Sequence, residues 1–205
     1  MAEDRPQIYL ITPPAFDAAE FAPKLASVLD AHEVACIRLA LASRDEYEIG
    51  RAADALREVS HARDVALVIE THLGLVERHG LDGVHFTDGA RQIRAARKAL
   101  GTDAIVGSHC GASRHEGMNA GEAGADYVCF GPVGETTLGT GARAEHDLFQ
   151  WWSEMIEVPV VAEGALSETL IAEFAPVTDW FALGEEVWRE DDPAAALGRF
   201  IAAMG

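Results

Sequence analysis

An α/β chain closing into a single-domain (β/α)8 barrel, the TIM-barrel architecture, is expected from three features of this sequence. A short apolar strand, a small polar turn and an amphipathic helix recur eight times in 205 residues, with no linker and no break in composition. The strands are almost continuously apolar, as parallel strands buried on both faces must be. A length of about 200 residues is the least in which eight such units close. An open doubly wound sheet would place a glycine-rich turn after its first strand, and here that turn, TPPAFD, contains no glycine.

The strands are read as QIYLIT (7–12), VACIRLAL (34–41), VALVIE (65–70), GVHF (83–86), DAIVGS (103–108), DYVCFG (126–131), VPVVAE (158–163) and WFALG (180–184). Between them, Phe21, Leu25, Val28 and Leu29 recur at helical spacing, as do Ile49, Ala53, Leu56 and Val59. The helix after GVHF sets Ile93, Ala96 and Leu100 on one face and arginines on the other. Ser43-x-x-Glu46 and Ser113-x-x-Glu116 spell capping boxes, in which serine and glutamate each satisfy an orphan amide. Trp151, Trp152 and Trp188 fall on helices, where they are expected to pack against the barrel; oligomeric state is left open.

With 34 acidic and 16 basic residues, the net charge of −18 argues against nucleic acid and anionic membrane, since either polyanion would meet repulsion. A small-molecule ligand is the expected partner. No apolar run is long enough to span a bilayer and the start, MAEDRPQIYLIT, does not read as a leader, so a cytoplasmic protein is expected. Cys36, Cys110 and Cys129 are odd in number without CxxC spacing, which reads as free thiols in a reducing compartment. Cys36 and Cys129 lie in apolar runs as core fillers, whereas Cys110, at a strand end beside His109, is expected to be accessible.

The segments IYLIT, IRLAL, LDGVHFTD, GADYVCFGPV and PVVAEGAL, spread over nearly the whole chain, resemble the thiamine-phosphate synthase family and its thiazole tautomerase relatives. The resemblance implies a (β/α)8 barrel with its site at the C-terminal strand ends. It also implies joining of a pyrimidine pyrophosphate to a thiazole phosphate with loss of pyrophosphate, assisted by Mg²⁺. Charge building on the leaving oxygens requires cations. Arg38 matches the arginine of the family's Arg-x-Lys pair, but the lysine position is Ala40, and the usual Asn-Asp after the third strand reads Glu70-Thr71. The acidic run after the fourth-strand histidine, His85, reads Phe86-Thr87-Asp88-Gly89-Ala90. In the glycine-rich loop after the sixth strand, Thr136 matches the first threonine, while the second threonine and the lysine become Leu138 and Gly139. The Gly-Gly of the phosphate site becomes Gly164-Ala165, preceded by Glu163, and the eighth strand ends in Gly184-Glu185-Glu186. A carboxylate 4 Å from an ionised phosphate costs about 4 kcal/mol at an effective dielectric of 20.

The substitutions favour a diverged enzyme with tautomerase-like acid/base chemistry. In that reading Glu70 and His109 are the catalytic pair, and Arg38, Thr136, Glu163, Gly164 and Gly184 bind substrate. A non-catalytic ligand-binding or regulatory barrel and an active synthase remain as alternatives. No cofactor is assigned, and Mg²⁺ enters only with retained synthase activity. Glu70, His109, Asp88 and Glu163 offer mixed imidazole and carboxylate donors suited to zinc, iron or manganese, yet without HxH or HExxH spacing, so no metal is assigned. Each residue also has a structural reading. His85 is expected to be buried and hydrogen-bonded, His72 to open the third helix, Asp88 to make a turn, and Arg38 to pair with Glu70. The readings separate on whether Arg38, Glu70, His109 and Glu163 converge on one pocket or are tied off with structural partners.

Overall fold

The computed structural model describes residues 5–136 and 142–205. Eight parallel strands pair in sequence order, β8 closing onto β1. They are β1 Gln7–Ile11, β2 Cys36–Leu39, β3 Ala66–Glu70, β4 Gly83–Phe86, β5 Ile105–His109, β6 Tyr127–Phe130, β7 Val160–Glu163 and β8 Trp180–Leu183. The helices are α1 Ala18–Ala31, α2 Glu46–His61, α3 Leu73–His79, α4 Ile93–Leu100, α5 Arg114–Ala123, α6 His146–Met155, α7 Glu168–Phe174, α8 Glu185–Trp188 and α9 Pro193–Ala203. The barrel and all eight expected strands are present, each somewhat shorter than the apolar run that signals it except β4.

Strand alternation builds two cores. Outward-facing Leu10, Ile37, Ile69, Val84, Val128 and Ala162 meet the helices, while Tyr9, Cys36, Val68, Tyr127, Cys129, Val161 and Ala182 fill the barrel. Trp152 is buried against Phe130, with its indole N–H donating to the Val158 carbonyl at 2.7 Å. Trp188 packs edge-on to Phe21. Phe21 lies on α1, and the Trp188 indole N–H donates to the Ile11 carbonyl on β1 at 2.6 Å, so both tryptophans tie a helix to the barrel. Inside the barrel, space for Tyr127 comes from Gly107 on the next strand: a Cβ there would fall 2.0 Å from the tyrosine Cζ.

At the N-terminal end of the barrel one device occurs three times. Asp82, Asp126 and Asp179 each immediately precede an even-numbered strand. Each carboxylate accepts from a backbone amide on the preceding odd strand, Leu67 at 2.7 Å, Val106 at 2.7 Å and Val160 at 2.8 Å. The aspartate's own amide donates back to the carbonyl of that same residue. A charge-assisted bond thus satisfies an amide near the start of each odd strand, the second of β3 and of β5 and the first of β7.

The capping expectations need correction. Asp45, not Ser43, caps α2, accepting from Tyr47 N at 2.9 Å, while the Ser43 hydroxyl donates to Glu48 at 2.6 Å. A carboxylate two residues later is the stronger acceptor for an orphan helix amide. Ser113 does cap α5, accepting from Glu116 N at 3.3 Å, but the Ser113 amide donates to Cys110 O, so the reciprocal half of the box is not formed.

Candidate active site

Arg38 sits at the centre of the C-terminal mouth. Its position on β2, in phase with Cys36, points it into the barrel, where it is 3% exposed. Nη2 lies 2.9 Å from Glu163 Oε1 on β7, Nε lies 3.4 Å from Glu70 Oε2 on β3, and Nη1 lies 2.5 Å from His85 Nε2 on β4. Nε is buried without a hydrogen bond of good geometry, because Glu70 is only an ion-pair contact. The guanidinium also faces the Tyr9 ring, 5.8 Å from its centroid.

A buried chain fixes this arrangement from below. A guanidinium can only donate, so His85 Nε2 accepts and Nδ1 carries the proton toward the Tyr127 hydroxyl at 2.9 Å. Tyr127 and Tyr9 hydroxyls share a further bond of 2.8 Å. Burial, reinforced by the Arg38 charge, pushes the His85 pKa well below its usual value, so the ring stays neutral. His85 is thus buried and hydrogen-bonded as expected.

The two carboxylates on Arg38 differ. Burial alone would raise the Glu163 pKa, but Arg38 and the neighbouring imidazoles His109 and His85 hold it well below the carboxylate range. Glu70, with 31% of its side chain exposed, goes the other way: burial raises its pKa more than Arg38 lowers it, and the Glu163 charge adds to the rise. Because Glu163 has a lowered folded pKa, its contribution to stability is present above the ordinary value of 4.5 and is lost as the pH falls toward the folded value. Glu70 acts with the opposite sign, gaining its proton first as the pH falls. We expect Glu163→Gln to flatten the acid side of the stability profile below about pH 4.5, measured by urea unfolding across pH. An unchanged slope would assign acid sensitivity to other carboxylates.

His109, at the end of β5, stands beside this group, and its Nδ1 is buried without a partner among the described residues. One ring nitrogen, the Cys129 sulfur and a Glu163 oxygen lie within 4.8 Å of one another, and the Cys129 thiol donates to Glu163 Oε2 at 3.0 Å. Cys129, read as core filler, is buried as expected but also belongs to the site. Cys110, expected to be accessible, is 3% exposed, its thiol turned back toward the Ser108 carbonyl; burial pushes its pKa up to about 12. Arg38, Glu70, His109 and Glu163 therefore converge, and Arg38 is also paired directly with each of the two carboxylates.

The remaining candidates are distributed around the rim. Thr136, half-buried, ends the described part of the loop after β6; Leu138 and Gly139 lie outside the described residues. Gly164, with φ +93°, supports the neighbouring loop: its carbonyl accepts from Gly134 N at 2.9 Å, and a Cβ would fall 2.9 Å from Pro132 Cα. Gly184 N donates to Glu186 Oε2 at 2.9 Å, and Leu166 N donates to Glu186 Oε1 at 3.2 Å. Amides after β7 and β8 thus converge on one anionic group, the chain's own carboxylate. Sequence reasoning passed over Glu186, although its place two residues beyond Gly184 was the available signal. Asp88 precedes the 310 turn Gly89–Gln92, where it accepts from Gln92, and His72 opens α3 as expected.

These residues do not fit Mg²⁺ as the family holds it. A hard cation of that size needs oxygen donors in near-octahedral order. Glu70 and Glu163 are engaged with Arg38, Asp88 is exposed on the rim, and the family's acidic positions are Thr71 and Ala90.

A closed parallel barrel of eight strands places the chain among the (β/α)8 proteins, and its buried charges are gathered at the C-terminal strand ends. Family comparison narrows this. Residues 8–178 match the model of the family described as thiamine monophosphate synthase, and the chain belongs to that family. It is 43% identical over 205 residues to the thiamine-phosphate synthase of Rhodospirillum centenum, covering 97% of each chain, and 36% identical to that of Erythrobacter litoralis, covering 96% of each. A thiamine phosphate pyrophosphorylase structure from Pyrococcus furiosus superposes with a TM-score of 0.82, covering 97% of this chain and 95% of that one, at 19% identity. This structural likeness attests the fold. No helix among the described residues is long and apolar enough to cross a membrane.

Proposed function

We propose that this chain is a thiamine-phosphate synthase, joining a pyrimidine pyrophosphate to a thiazole phosphate with release of pyrophosphate. The observation that carries the reading is the 43% identity with the Rhodospirillum centenum protein over almost the full length of both. It displaces the tautomerase-like expectation from first place, since that rested on substitutions at single positions. Arg38 is the cation for the departing pyrophosphate. Glu70 is the partner that yields, being the more exposed, the more distant at 3.4 Å and the readier to take a proton; its release frees Nε. The thiazole phosphate takes the amides of Gly184 and Leu166 that Glu186 now holds, Glu186 turning outward. The three free thiols support a reducing, cytoplasmic setting.

The direct test is incubation of the purified chain with both substrates, reading pyrophosphate release and thiamine phosphate. No release while both substrates bind would overturn the reading. Glu186→Ala is expected to tighten thiazole phosphate binding about tenfold, equivalent to about 1.4 kcal/mol, by isothermal titration. An unchanged or weaker Kd would show that these amides do not receive the phosphate.

Acid/base chemistry is the second reading, favoured by the raised pKa of Glu70 in a mouth it shares with His109. It expects turnover of a monophosphate without pyrophosphate release, lost in His109→Asn.

A further inference from the structure

We infer that His109, Cys129 and Glu163 form a binding site for a borderline divalent transition metal, zinc in the first instance. The three side chains come from the adjacent strands β5, β6 and β7, with His109 and Cys129 in direct register. Each offers one donor atom, and the three donors lie within 4.8 Å of one another. Zinc bonds of about 2.0–2.3 Å set tetrahedral donors about 3.5 Å apart, so closure on a metal asks for side-chain adjustment of about an ångström.

Two features favour a metal over a plain hydrogen-bonded cluster. Among the described residues His109 Nδ1 is buried without a partner, and a buried polar atom of that kind calls for an ion or a water that satisfies the ring. The Cys129 sulfur, at the edge of the barrel's apolar interior, meets Glu163 Oε2 at 3.0 Å, which sets a soft and a hard donor side by side. The donor set selects the metal. A thiolate and an imidazole suit zinc and poorly suit Mg²⁺, whose all-oxygen requirement the mouth does not meet.

Arg38 is the obvious objection, and the geometry answers it. The guanidinium holds Glu163 Oε1 at 2.9 Å, leaving Oε2, the oxygen that faces Cys129, for the metal. A thiolate and a carboxylate cancel the two charges of the cation, so Arg38 meets a neutral cluster and acts as the outer partner that orients the ligating carboxylate. On binding, the Cys129 S–H proton passes to solvent, the sulfur–metal bond replaces the thiol–carboxylate hydrogen bond, and no redox change occurs. Three protein donors leave a fourth position for water or an anionic substrate oxygen. The inference stands apart from the synthase reading, because its readout is metal binding.

Cobalt(II) titration of the chelator-treated full chain tests it. The expected result is one equivalent bound with a thiolate-to-cobalt charge-transfer band and visible bands of tetrahedral strength. Zinc should displace the cobalt, and excess Mg²⁺ should not. Cys129→Ser should abolish the charge-transfer band, and His109→Asn should weaken binding by more than the roughly tenfold that loss of an outer partner costs. Cys110→Ser should retain the band. A folded wild-type chain that binds no cobalt overturns the inference, as does a band that survives Cys129→Ser or disappears in Cys110→Ser. Should Cys129→Ser fail to fold, unchanged affinity in His109→Asn overturns it equally.

Discussion

Replacing Arg38 with alanine is expected to destabilise the barrel by about 3 kcal/mol and to lower thiamine phosphate formation by about two to three orders of magnitude. The stability loss arises less from the vanished ion pairs than from what remains: Glu163 and His85 Nε2 facing a space that no longer holds a donor. The lower end of the range for broken buried pairs applies, because the Glu163 and Glu70 side chains keep 20% and 31% exposure. For a chain of this length the loss corresponds to a fall in Tm of roughly 6–12 °C. Adding Glu163→Gln to Arg38→Ala should recover part of it, since the stranded charge is gone. Arg38→Lys should not rescue activity, because one ammonium cannot address three strands at fixed angles. A loss under about 1 kcal/mol by urea unfolding would mean that water already shares these contacts.

Gly107→Ala is the second large effect. The added methyl would lie 2.0 Å from Tyr127 Cζ and 2.4 Å from its hydroxyl oxygen, inside a barrel with no room to shift the ring. Overpacking of this kind costs about 1–3 kcal/mol. Displacing the hydroxyl also strips His85 Nδ1 of its acceptor and Tyr9 of its partner. We therefore expect a loss near the top of that range, together with reduced activity from a misplaced Arg38. Tyr127→Leu in the same chain should relieve the overlap without returning the hydroxyl, so only part of the stability and none of the activity should come back. Full activity in Gly107→Ala would show that Arg38 holds its position without the chain beneath it.

What could be read from the sequence depended on the range of the interaction. The barrel was legible because strand burial on two faces and helix burial on one are periodic and local, so LVIE or YVCF announces itself without knowledge of its neighbours. Arg38 and His85 were legible as polar residues inside apolar strands, which demand partners. The identity of the partners was not. Glu70 lies on the adjacent strand and was expected, whereas Glu163, the closer partner at 2.9 Å, lies across the barrel on β7. Cys129 looked like filler because only the pairing of β6 with β7 brings it to Glu163, 34 residues away in sequence. Ser43 misled because capping is decided by which side chain meets the first amides, and Asp45 was the better placed. The acidic rim was read as hostile to phosphate; Glu186 shows instead amides already gathered around an anion.

Asp82, Asp126 and Asp179 hold the opposite end of the barrel, a full strand length from Arg38 and its carboxylates. Each clamp closes within one pair of strands, so none depends on the mouth for its geometry. Heritable variation can then accumulate at the mouth without placing the scaffold at risk. A lineage carrying these three clamps can lose a lysine, acquire glutamates and trial new ligands while each intermediate sequence still folds. One rim is free to change its chemistry because the other holds the strands without its help.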